Sequence, residues 1–572
     1  MTSSQENIPP MPQPHATVEV PDSGEDPTRQ EGAVNITRTG LHAFRWGWTS
    51  FMVLATSLPY FLNFAFTPAG HHYTWILPPY PEDSLSYMAW SQQAAHGALL
   101  FKIKFTALPQ SAFLFHPFFL ICGWISGLLG CDIGIVHLAV KEVGVILFFV
   151  LFYKYVTYLR LNTFQSVVAS ILVGISSGLG GMAGFILGSN AVNKLSSAPA
   201  DLSMPEMSTY WSLLWNPLFP YSLLLMLLAI FYLDRGTRDR RKADLWLGGL
   251  ATGVLALVHP YSQPLLLAFA VVIVLARRRA NWLPYLLRYF MAVSPFLLYI
   301  VWVSEFQPIV LQHSAEGVMS SPNIVTYLLG FGFLLLMWIA GFTVGGGRWM
   351  KEYWQLAIWF VMSLALAYLP FWFQRKLIFG AHIPLCILAA ISFDLILAKC
   401  PRGRVRKLCL VAAVVVLLPL LASTPVYLLM NESKEVRDNS AGGVYYISND
   451  ALNGFKFLKE QSKPDEVVFA SLQTSRLIPA FSGNTVLWGH WAMSVDFDQR
   501  REWYLDLFER YQDWNSDKRA SDFWGTGIEY VFVDDSPGQS IKEERWKWNA
   551  ILKDADEVFR NGSVVIYKHR AG

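Results

Sequence analysis

The stretch PPYPEDSLSYMAW, residues 78–90, places two adjacent carboxylates, Glu82 and Asp83, just after the chain leaves its first apolar segment. A carboxylate in such a position can act as a general base that removes a proton from an attacking hydroxyl. Asp83 also has a structural interpretation, because an aspartate directly before a helix that begins at Ser84 would cap the helix N-terminus. The two roles are compatible, since a cap fixes the position of the carboxylate.

Four cations are candidates for binding an anion such as a phosphate group. Lys102 and Lys104 follow Asp83 in the chain, and Arg375 and Lys376 lie much later, in the segment FQRKLIFGAHIPL. A guanidinium can hold a phosphate through two parallel hydrogen bonds, although an arginine at a helix end can also extend harmlessly to the interface. We predict a phosphate contact at Arg375, whereas Lys376 could also be a solvated neighbour.

A further set of polar residues could form a second acidic site or line a cavity: Asp201, Glu206, His116, His137, Lys141, Glu142 and His259. The two loop carboxylates of this set are expected to be solvated. The adjacent lysine and glutamate lie inside an apolar segment, where a charge is a functional candidate or pairs with another helix. His259 could line a cavity or simply end a helix. No cofactor is assigned. Binding of a divalent metal ion is left as an open alternative, although three convergent carboxylates cannot be identified in the sequence.

The composition is that of an integral membrane protein. Of 572 residues, 53% are hydrophobic and only 15% are charged, and the mean hydropathy is +0.33. The five cysteines show no zinc or redox spacing, and we predict no nucleic-acid partner. Residues 1–40 are polar and predict a disordered leader on the cytoplasmic side. The first apolar run has no cleavage site and predicts a retained anchor.

The transmembrane domain is predicted at 41–430. Its eleven apolar stretches predict spans at 44–67, 134–159, 163–188, 212–233, 244–262, 264–276, 281–303, 323–343, 353–372, 377–397 and 408–428. Loops rich in Lys and Arg should alternate with loops that have few such residues. This alternation holds only if a further apolar run, 111–130, does not cross the bilayer. That run is therefore predicted to be interfacial or re-entrant, within a first outer loop at 68–132. The N-terminus then lies inside and the C-terminus outside, and Asp83 faces outward.

Two further sequence patterns complete the predicted architecture. After Asp83, the residues Leu85, Met88, Ala95 and Leu99 share a helical face and predict a helix that lies flat on the membrane surface. Residues 431–572 alternate helical and strand patterns, with a hairpin across Asn561-Gly562, and predict a small extracytoplasmic α/β domain. The predicted fold class is thus a polytopic α-helical membrane protein with a C-terminal soluble α/β domain.

These features together resemble the GT-C superfamily of membrane glycosyltransferases, which includes the dolichyl-phosphate-mannose protein mannosyltransferases and the lipid A aminoarabinose transferases. The resemblance covers most of the chain after residue 44. Three matching segments are PEDSLSYMAWSQQAAHG (81–97), FHPFFLICGWISGLLG (115–130) and FQRKLIFGAHIPLCILAA (373–390). The fourth, residues 458–491, looks like part of the outer domains of bacterial members.

The resemblance implies a bacterial inner-membrane enzyme that moves a sugar from a polyprenyl-phosphate donor to an extracytoplasmic glycan, lipid or protein. Asp83 matches the family's catalytic carboxylate, Glu82 its acidic neighbour, and Arg375 a basic residue that contacts the donor phosphate. The chain departs from many members at His116-Pro117, where they have Pro-Pro. Two other functions remain open at this point: a transporter or flippase of an anionic lipid or solute, with Lys141 and Glu142 on its path, and a non-catalytic subunit with the same fold.

Overall fold

The computed structural model describes residues 37–192, 194–438, 443–508, 516–534, 548 and 551–570. Most of the predicted leader, residues 1–36, lies outside the described residues. The membrane region consists of α1 (Arg38–Ala65), α2 (Pro81–Ala95), α3 (Pro117–Leu129), α4 (Ile133–Tyr158), α5 (Thr163–Ile175), α6 (Gly180–Leu187), α7 (Ser189–Val192), α8 (Thr209–Trp215), α9 (Phe219–Arg238), α10 (Lys242–Val258), α11 (Gln263–Arg278), α12 (Leu283–Phe306), α13 (Pro308–Glu316), α14 (Ile324–Gly345), α15 (Met350–Leu366), α16 (His382–Ala398) and α17 (Arg404–Asp438).

A helix lies at each of the eleven predicted spans, in the order α1, α4, the pair α5 and α6, α9, α10, α11, α12, α14, α15, α16 and α17. Seven of the described helices are long and apolar enough to cross a membrane, and the pair α5 and α6, bent by 48°, makes an eighth. Helices α10 and α15 have 17 residues each, about 26 Å at 1.5 Å per residue. The chain is an integral membrane protein, and the number of spans stays a prediction.

Helices α2 and α3 form a hairpin between the first two long helices. Helix α3 has 13 residues, about 20 Å, which is shorter than the hydrocarbon core of about 30 Å. Helix α3 is thus short for a membrane span, and the placement of the run 111–130 outside the bilayer stays a prediction. A side chain at Gly123 would overlap the carbonyl oxygen of Ser91 and the Cβ of Ala94, so this glycine allows the close contact between the two helices.

Two expectations about α2 are wrong. The helix begins at Pro81, which sets the first-turn geometry, and Tyr80 is its N-cap without a side-chain bond. Asp83 therefore lies within the first turn and does not cap. The apolar face of α2 is also not laid on lipid, because Leu85 and Met88 are buried against protein, including the C-terminal region.

The C-terminal region is the predicted α/β unit. It contains β2 (Tyr446–Ser448), α18 (Asn449–Gln461), β3 (Val467–Phe469), α19 (Leu472–Phe481), β4 (Thr485–Val486), α20 (Phe497–Phe508), α21 (Ser516–Trp524), β5 (Ile528–Val533), β6 (Ala555–Asn561) and β7 (Val564–His569). The sheet order is β4-β3-β5-β7-β6; the first three strands are parallel and the last three antiparallel. The predicted hairpin at Asn561-Gly562 is confirmed. Helix α20 covers most of a predicted helix at 496–511, whose last three residues lie outside the described chain.

The C-terminal unit is joined to the region 68–132 by a feature that the sequence analysis missed. A short strand, β1 (His71–Tyr73), pairs antiparallel with β2. The hydroxyl of Tyr446 donates a hydrogen bond to the carbonyl oxygen of Asn63 at 2.8 Å. Helix α19 packs on α2. The soluble unit therefore sits directly over the start of α2, where Asp83 lies.

Candidate functional site

A cavity of about 460 Å³ lies between the membrane region and the C-terminal unit. Helix α2 contributes Asp83 and Tyr87 to its wall, and the C-terminal unit contributes a loop at 490–493. Other polar lining residues come from four separate segments: His116, His259, Tyr261, Gln263, Ser304 and Lys376. The bundle end that holds this cavity is called the cavity end below.

Asp83 exposes 38% of its side chain, and this exposed part faces the cavity. Burial alone would raise the pKa of its carboxyl group. His490 and the positive charges of Lys376 and Arg375 outweigh burial and lower the pKa below its usual value. Asp83 is therefore an ionised carboxylate at neutral pH, held where it can accept a hydrogen bond from a ligand.

His490, which sequence reasoning missed, is the nearest basic group to this carboxylate. Its Nε2 lies 3.8 Å from Asp83 Oδ1, which is beyond hydrogen-bond length. Its Nδ1 accepts hydrogen bonds from the backbone N–H groups of Ala492 (3.0 Å) and Met493 (3.3 Å). Because Nδ1 is an acceptor, the neutral ring carries its proton on Nε2 and presents that N–H toward Asp83.

Lys376, which lines the cavity, forms a buried ion pair with Glu206, which does not. The Nζ of Lys376 lies 2.9 Å from Oε1 of Glu206, whose side chain is 1% exposed. Burial would raise the pKa of Glu206, but the charges of Lys376 and Arg375 lower it below the usual value. Two expectations are therefore wrong: Glu206 is not a solvated loop carboxylate, and Lys376 is not a solvated neighbour.

Arg375 precedes Lys376 in a 3₁₀ turn, Gln374–Ile378, between α15 and α16. Gly380, with φ of +81°, allows the chain to turn from there into α16. The Nε of Arg375 is buried and has no hydrogen-bond partner, and within the described chain its guanidinium makes no ion pair. Its charge is felt by Asp83 and Glu206. Arg375 is not itself one of the residues that line the cavity, but its unpaired charge adjoins Lys376, which is.

The predicted histidines His116 and His259 both line the cavity. The His116 ring stacks on Phe119 with centroids 4.0 Å apart. The His259 ring lies 4.7 Å from that of Phe379, and its Nδ1 is 2.8 Å from Ser262 Oγ. Nδ1 of His116 and Nε2 of His259 are buried without a hydrogen-bond partner in the described structure.

The rest of the cavity wall is apolar. It includes Leu297, Ile300, Val301 and Val303 of α12, Val310 of α13, Met319, and the aromatic residues Trp372 and Phe373. Val301 is also 52% exposed on the outer surface of α12, beside Leu298 and Trp302. The apolar part of the cavity therefore reaches the lipid-facing side of α12.

Three of the predicted site residues instead fasten the C-terminal unit to the membrane region. Glu82 pairs with Arg476 of α19 at 3.2 Å. Lys102 and Lys104 both pair with Asp465, at 2.9 and 2.8 Å. None of these three residues lines the cavity. The positions of Lys102 and Lys104 argue against a direct contact with a ligand phosphate at Asp83.

The intramembrane pair Lys141 and Glu142 is satisfied within the helix bundle. The two side chains lie 2.9 Å apart, and Lys141 Nζ donates to the carbonyl oxygens of Thr56 (2.9 Å) and Leu214 (3.1 Å). Thr56 Oγ1 donates to Glu142 Oε2 at 2.9 Å. Of the two interpretations that the sequence left open, the structure shows helix pairing.

His137 and Asp201 are likewise held in structural contacts. His137 Nε2 lies 2.8 Å from Ser91 Oγ and so ties α4 to α2. Asp201 is fully buried, so the expectation of a solvated carboxylate is wrong. It accepts hydrogen bonds from Ser177 Oγ, the Gly178 N–H and Thr424 Oγ1 at 2.7–3.0 Å, which fixes the bend between α5 and α6.

The described residues contain no group of three or more His, Cys, Asp or Glu side chains that could hold a metal ion. At Asp83 the nearest acidic neighbours are already paired, Glu82 with Arg476 and Glu206 with Lys376. The side chains around Asp83 therefore do not form a set of metal ligands.

No protein-family profile matches the chain, and neither does any curated protein. Among solved structures, the arabinofuranosyltransferase AftD from Mycobacteria aligns with 95% of this chain at 13% identity and a TM-score of 0.54, and the aligned part is 40% of AftD. ArnT from Cupriavidus metallidurans, bound to undecaprenyl phosphate, aligns with 91% of this chain and 98% of its own at 11% identity and a TM-score of 0.47. The oligosaccharyltransferase AglB from Archaeoglobus fulgidus, in complex with an inhibitory peptide and a dolichol-phosphate, aligns with 89% of this chain and 71% of its own at 12% identity and a TM-score of 0.47.

Proposed function

We propose, on the premise of its GT-C fold, that this chain is a membrane glycosyltransferase with a polyprenyl-phosphate sugar donor. One observation carries the proposal: the ionised carboxylate of Asp83 and the ammonium of Lys376 line one cavity, whose apolar wall reaches the lipid, and the unpaired guanidinium of Arg375 adjoins Lys376. Such a donor has an apolar chain, an anionic phosphate and a sugar, and each part has a matching region in this cavity.

The donor would enter from the bilayer along α12. Its prenyl chain would lie against the apolar residues of that helix and against Trp372 and Phe373. Its phosphate would meet Arg375, whose Nε has no partner, with Lys376 as a second positive charge in the cavity wall. A guanidinium suits this role because it can bind phosphate oxygens in pairs.

Asp83 would act as the general base. The acceptor hydroxyl would donate a hydrogen bond to the carboxylate and lose its proton as its oxygen forms a bond to the anomeric carbon. The bond from that carbon to the phosphate oxygen breaks, and the polyprenyl phosphate leaves with the electron pair. Arg375 would stabilise the charge that develops on this leaving group.

The same cations explain how a carboxylate with a lowered pKa can serve as a base. In the free protein, Lys376 and Arg375 contribute to lowering the pKa of Asp83. A bound donor phosphate would offset part of their charge, so the pKa of Asp83 would rise in the complex. The base would therefore become stronger when the donor is in place.

His490 would hold the carboxylate in position. Its Nε2–H points toward Asp83, and closing the 3.8 Å gap by about 1 Å would form a hydrogen bond to one carboxylate oxygen. The other oxygen would be left for the acceptor. Trp491, which is 48% exposed and lines the cavity beside His490, would contact an acceptor that arrives from the C-terminal side.

We propose that the protein has the orientation in the membrane that the distribution of Lys and Arg predicts. Loops such as 239–242, rich in arginine and lysine, lie at the end of the bundle opposite the cavity end, and such loops remain in the cytoplasm. The cavity and the C-terminal unit would then face the extracytoplasmic side. Asp83 would meet its acceptor there, and the N-terminus would be cytoplasmic.

The transporter alternative has lost its main support, because Lys141 and Glu142 bond to each other and to neighbouring helices rather than lining a path. A non-catalytic subunit would leave two features without a role: the ionised carboxylate of Asp83 in the cavity wall, and the charge of Arg375 close enough to lower its pKa.

The proposal is tested by transfer from a defined lipid-linked donor. The protein in nanodiscs is incubated with short-chain polyprenyl-phosphate sugars and hydroxyl acceptors, and release of polyprenyl phosphate is measured. Arg375→Gln should lower kcat/KM on the order of 100-fold, as for loss of one donor to developing charge. Arg348→Gln, an exposed arginine in the loop between α14 and α15, is the matched control and should be unchanged. Equal rates for both variants would contradict the phosphate assignment.

A further inference from the structure

A second cavity, of about 380 Å³, lies at the opposite end of α1 and α4 from the cavity end. Helix α1 contributes four residues, at the spacing of one helical face, and α4 contributes four more: His42, Arg45, Trp46, Thr49, Val150, Tyr153, Lys154 and Thr157. The set contains three basic side chains and three hydroxyls, and no carboxylate. The proposed transfer reaction does not use this charge.

The guanidinium of Arg45 is held in place by neutral groups. Its Nη2 donates to Thr157 Oγ1 at 2.9 Å, and it lies 5.4 Å from the centroid of the Tyr153 ring. The Tyr153 hydroxyl in turn donates to the carbonyl oxygen of Arg45 at 3.0 Å and lies 3.2 Å from Thr49 Oγ1. These contacts fix the side chain but leave its charge uncompensated.

No carboxylate in the described part of the chain forms an ion pair with Arg45 or Lys154. Arg45 is only partly exposed. Positive charge held in a partly buried position at a membrane interface is costly unless an anion compensates it. The arrangement therefore points to an anionic ligand that is not part of this chain.

The surroundings match a lipid better than a soluble ion. Trp46, 52% exposed, stands at the rim, as aromatic residues do at the interface. Further along α4, three and seven residues before Val150 and so on the same helical face, Leu147 and Val143 are exposed apolar residues on which acyl chains can lie. The pocket volume of about 380 Å³ leaves room for a phosphate headgroup.

We propose that this α1–α4 pocket binds the headgroup phosphate of an anionic phospholipid. Arg45 and Lys154 would each donate to phosphate oxygens, with Thr157 as a neutral donor, and the acyl chains would follow the exposed apolar residues Leu147 and Val143 of α4. The ligand would pack α1 against α4 at the end where both helices leave the membrane. This proposal is independent of the transfer reaction at Asp83.

A matched control separates a built pocket from the general positive charge of this bundle end. Arg241 and Lys242 are exposed cations outside the pocket. They lie at the same end, since Arg238 of the same loop region sits 5.9 Å from the ring centroid of Tyr158, the last residue of α4. A non-specific field would be weakened equally by neutralising either pair.

The test measures lipid bound to the full-length protein by native mass spectrometry, after delipidation and titration with phosphatidylglycerol or phosphatidylcholine. We expect one phosphatidylglycerol to bind preferentially and R45Q/K154Q to weaken its binding by at least about tenfold. The R241Q/K242Q control should bind as the unmodified protein does, and Arg45→Lys should be intermediate because it keeps the charge but loses the paired donors.

Three results would overturn the proposal. They are an equal loss in the control, unchanged binding in R45Q/K154Q, and no preference for phosphatidylglycerol over phosphatidylcholine. A further arm adds inorganic phosphate or glycerol 3-phosphate at millimolar concentration. Displacement of the lipid by either would assign the pocket to a soluble phosphate and overturn the lipid assignment. All variants are compared at equal monodispersity and melting temperature, and Arg45→Lys reports on the site if R45Q/K154Q does not fold.

Discussion

Replacing Lys376 by methionine should destabilise the protein by about 3–5 kcal/mol, the cost of leaving a buried carboxylate without its partner. The magnitude follows from the burial of Glu206, whose side chain is 1% exposed and whose Oε1 lies 2.9 Å from Lys376 Nζ. Its Oε2 has no hydrogen-bond partner among the described residues. The charge of Arg375 is also felt by Glu206, but Arg375 makes no ion pair with it, so Lys376 is its only direct charged partner among the described residues. The measurement is chemical unfolding in detergent, followed by tryptophan fluorescence.

Two comparisons separate this effect from simple loss of packing. The Glu206→Gln/Lys376→Met double variant should recover much of the loss, because no buried charge is left unpaired. The deficit of Lys376→Met should also shrink as the pH falls from 7 to 5. In the intact protein the pKa of Glu206 is lowered, so its stabilising contribution is present above its unfolded pKa and is lost only at more acidic pH. Without Lys376, burial dominates and the carboxyl takes up a proton more readily. A single variant as stable as the unmodified protein, or a double variant no better than the single one, would refute this reasoning.

Three further outcomes are expected. His490→Ala should lower kcat on the order of tenfold with donor binding unchanged, and His490→Gln should recover part of the rate because its amide can still donate to Asp83; steady-state transfer kinetics check both. Since the pKa of Asp83 is lowered in the free protein, the acidic limb of kcat/KM should lie below the usual range of an aspartate, and Arg375→Gln should move it to higher pH, as a pH–rate profile would show. Gly123→Leu should prevent close packing of α2 and α3 and reduce the amount of folded protein in membranes, measured by fluorescence-detected size exclusion.

The helices of the membrane region and the strands of the C-terminal unit could be predicted because both leave local patterns. Long apolar runs predict helices, and the hairpin at Asn561-Gly562 follows from turn chemistry next to alternating residues. Asp83 could be selected as well, since it stands beside an apolar segment in a motif with a family resemblance. The structure places it in the wall of a cavity, and its role as base remains a proposal.

The partners of Asp83 could not be predicted, because they are brought to it only by the tertiary fold. His490 lies about 400 residues further along the chain, in a segment whose pattern predicts no chemistry. The burial of Glu206 and Asp201 was missed because both lie in loops rich in polar residues, and such loops usually contact water. Pro81 is favoured at the first position of a helix, and it starts α2 three residues before Ser84. Asp83 therefore lies in the first turn instead of capping the helix.

The central claim is that Asp83 is the base of sugar transfer, and its neighbour provides the control. Asp83→Asn keeps the shape of the side chain but cannot accept a proton, so transfer from a polyprenyl-phosphate sugar should fall by about 10²–10⁴-fold while donor binding is retained. Glu82→Gln removes the adjacent carboxylate, which pairs with Arg476 outside the cavity, and should keep most of the activity. Normal transfer by folded Asp83→Asn, or an equal loss in both variants, would contradict the account.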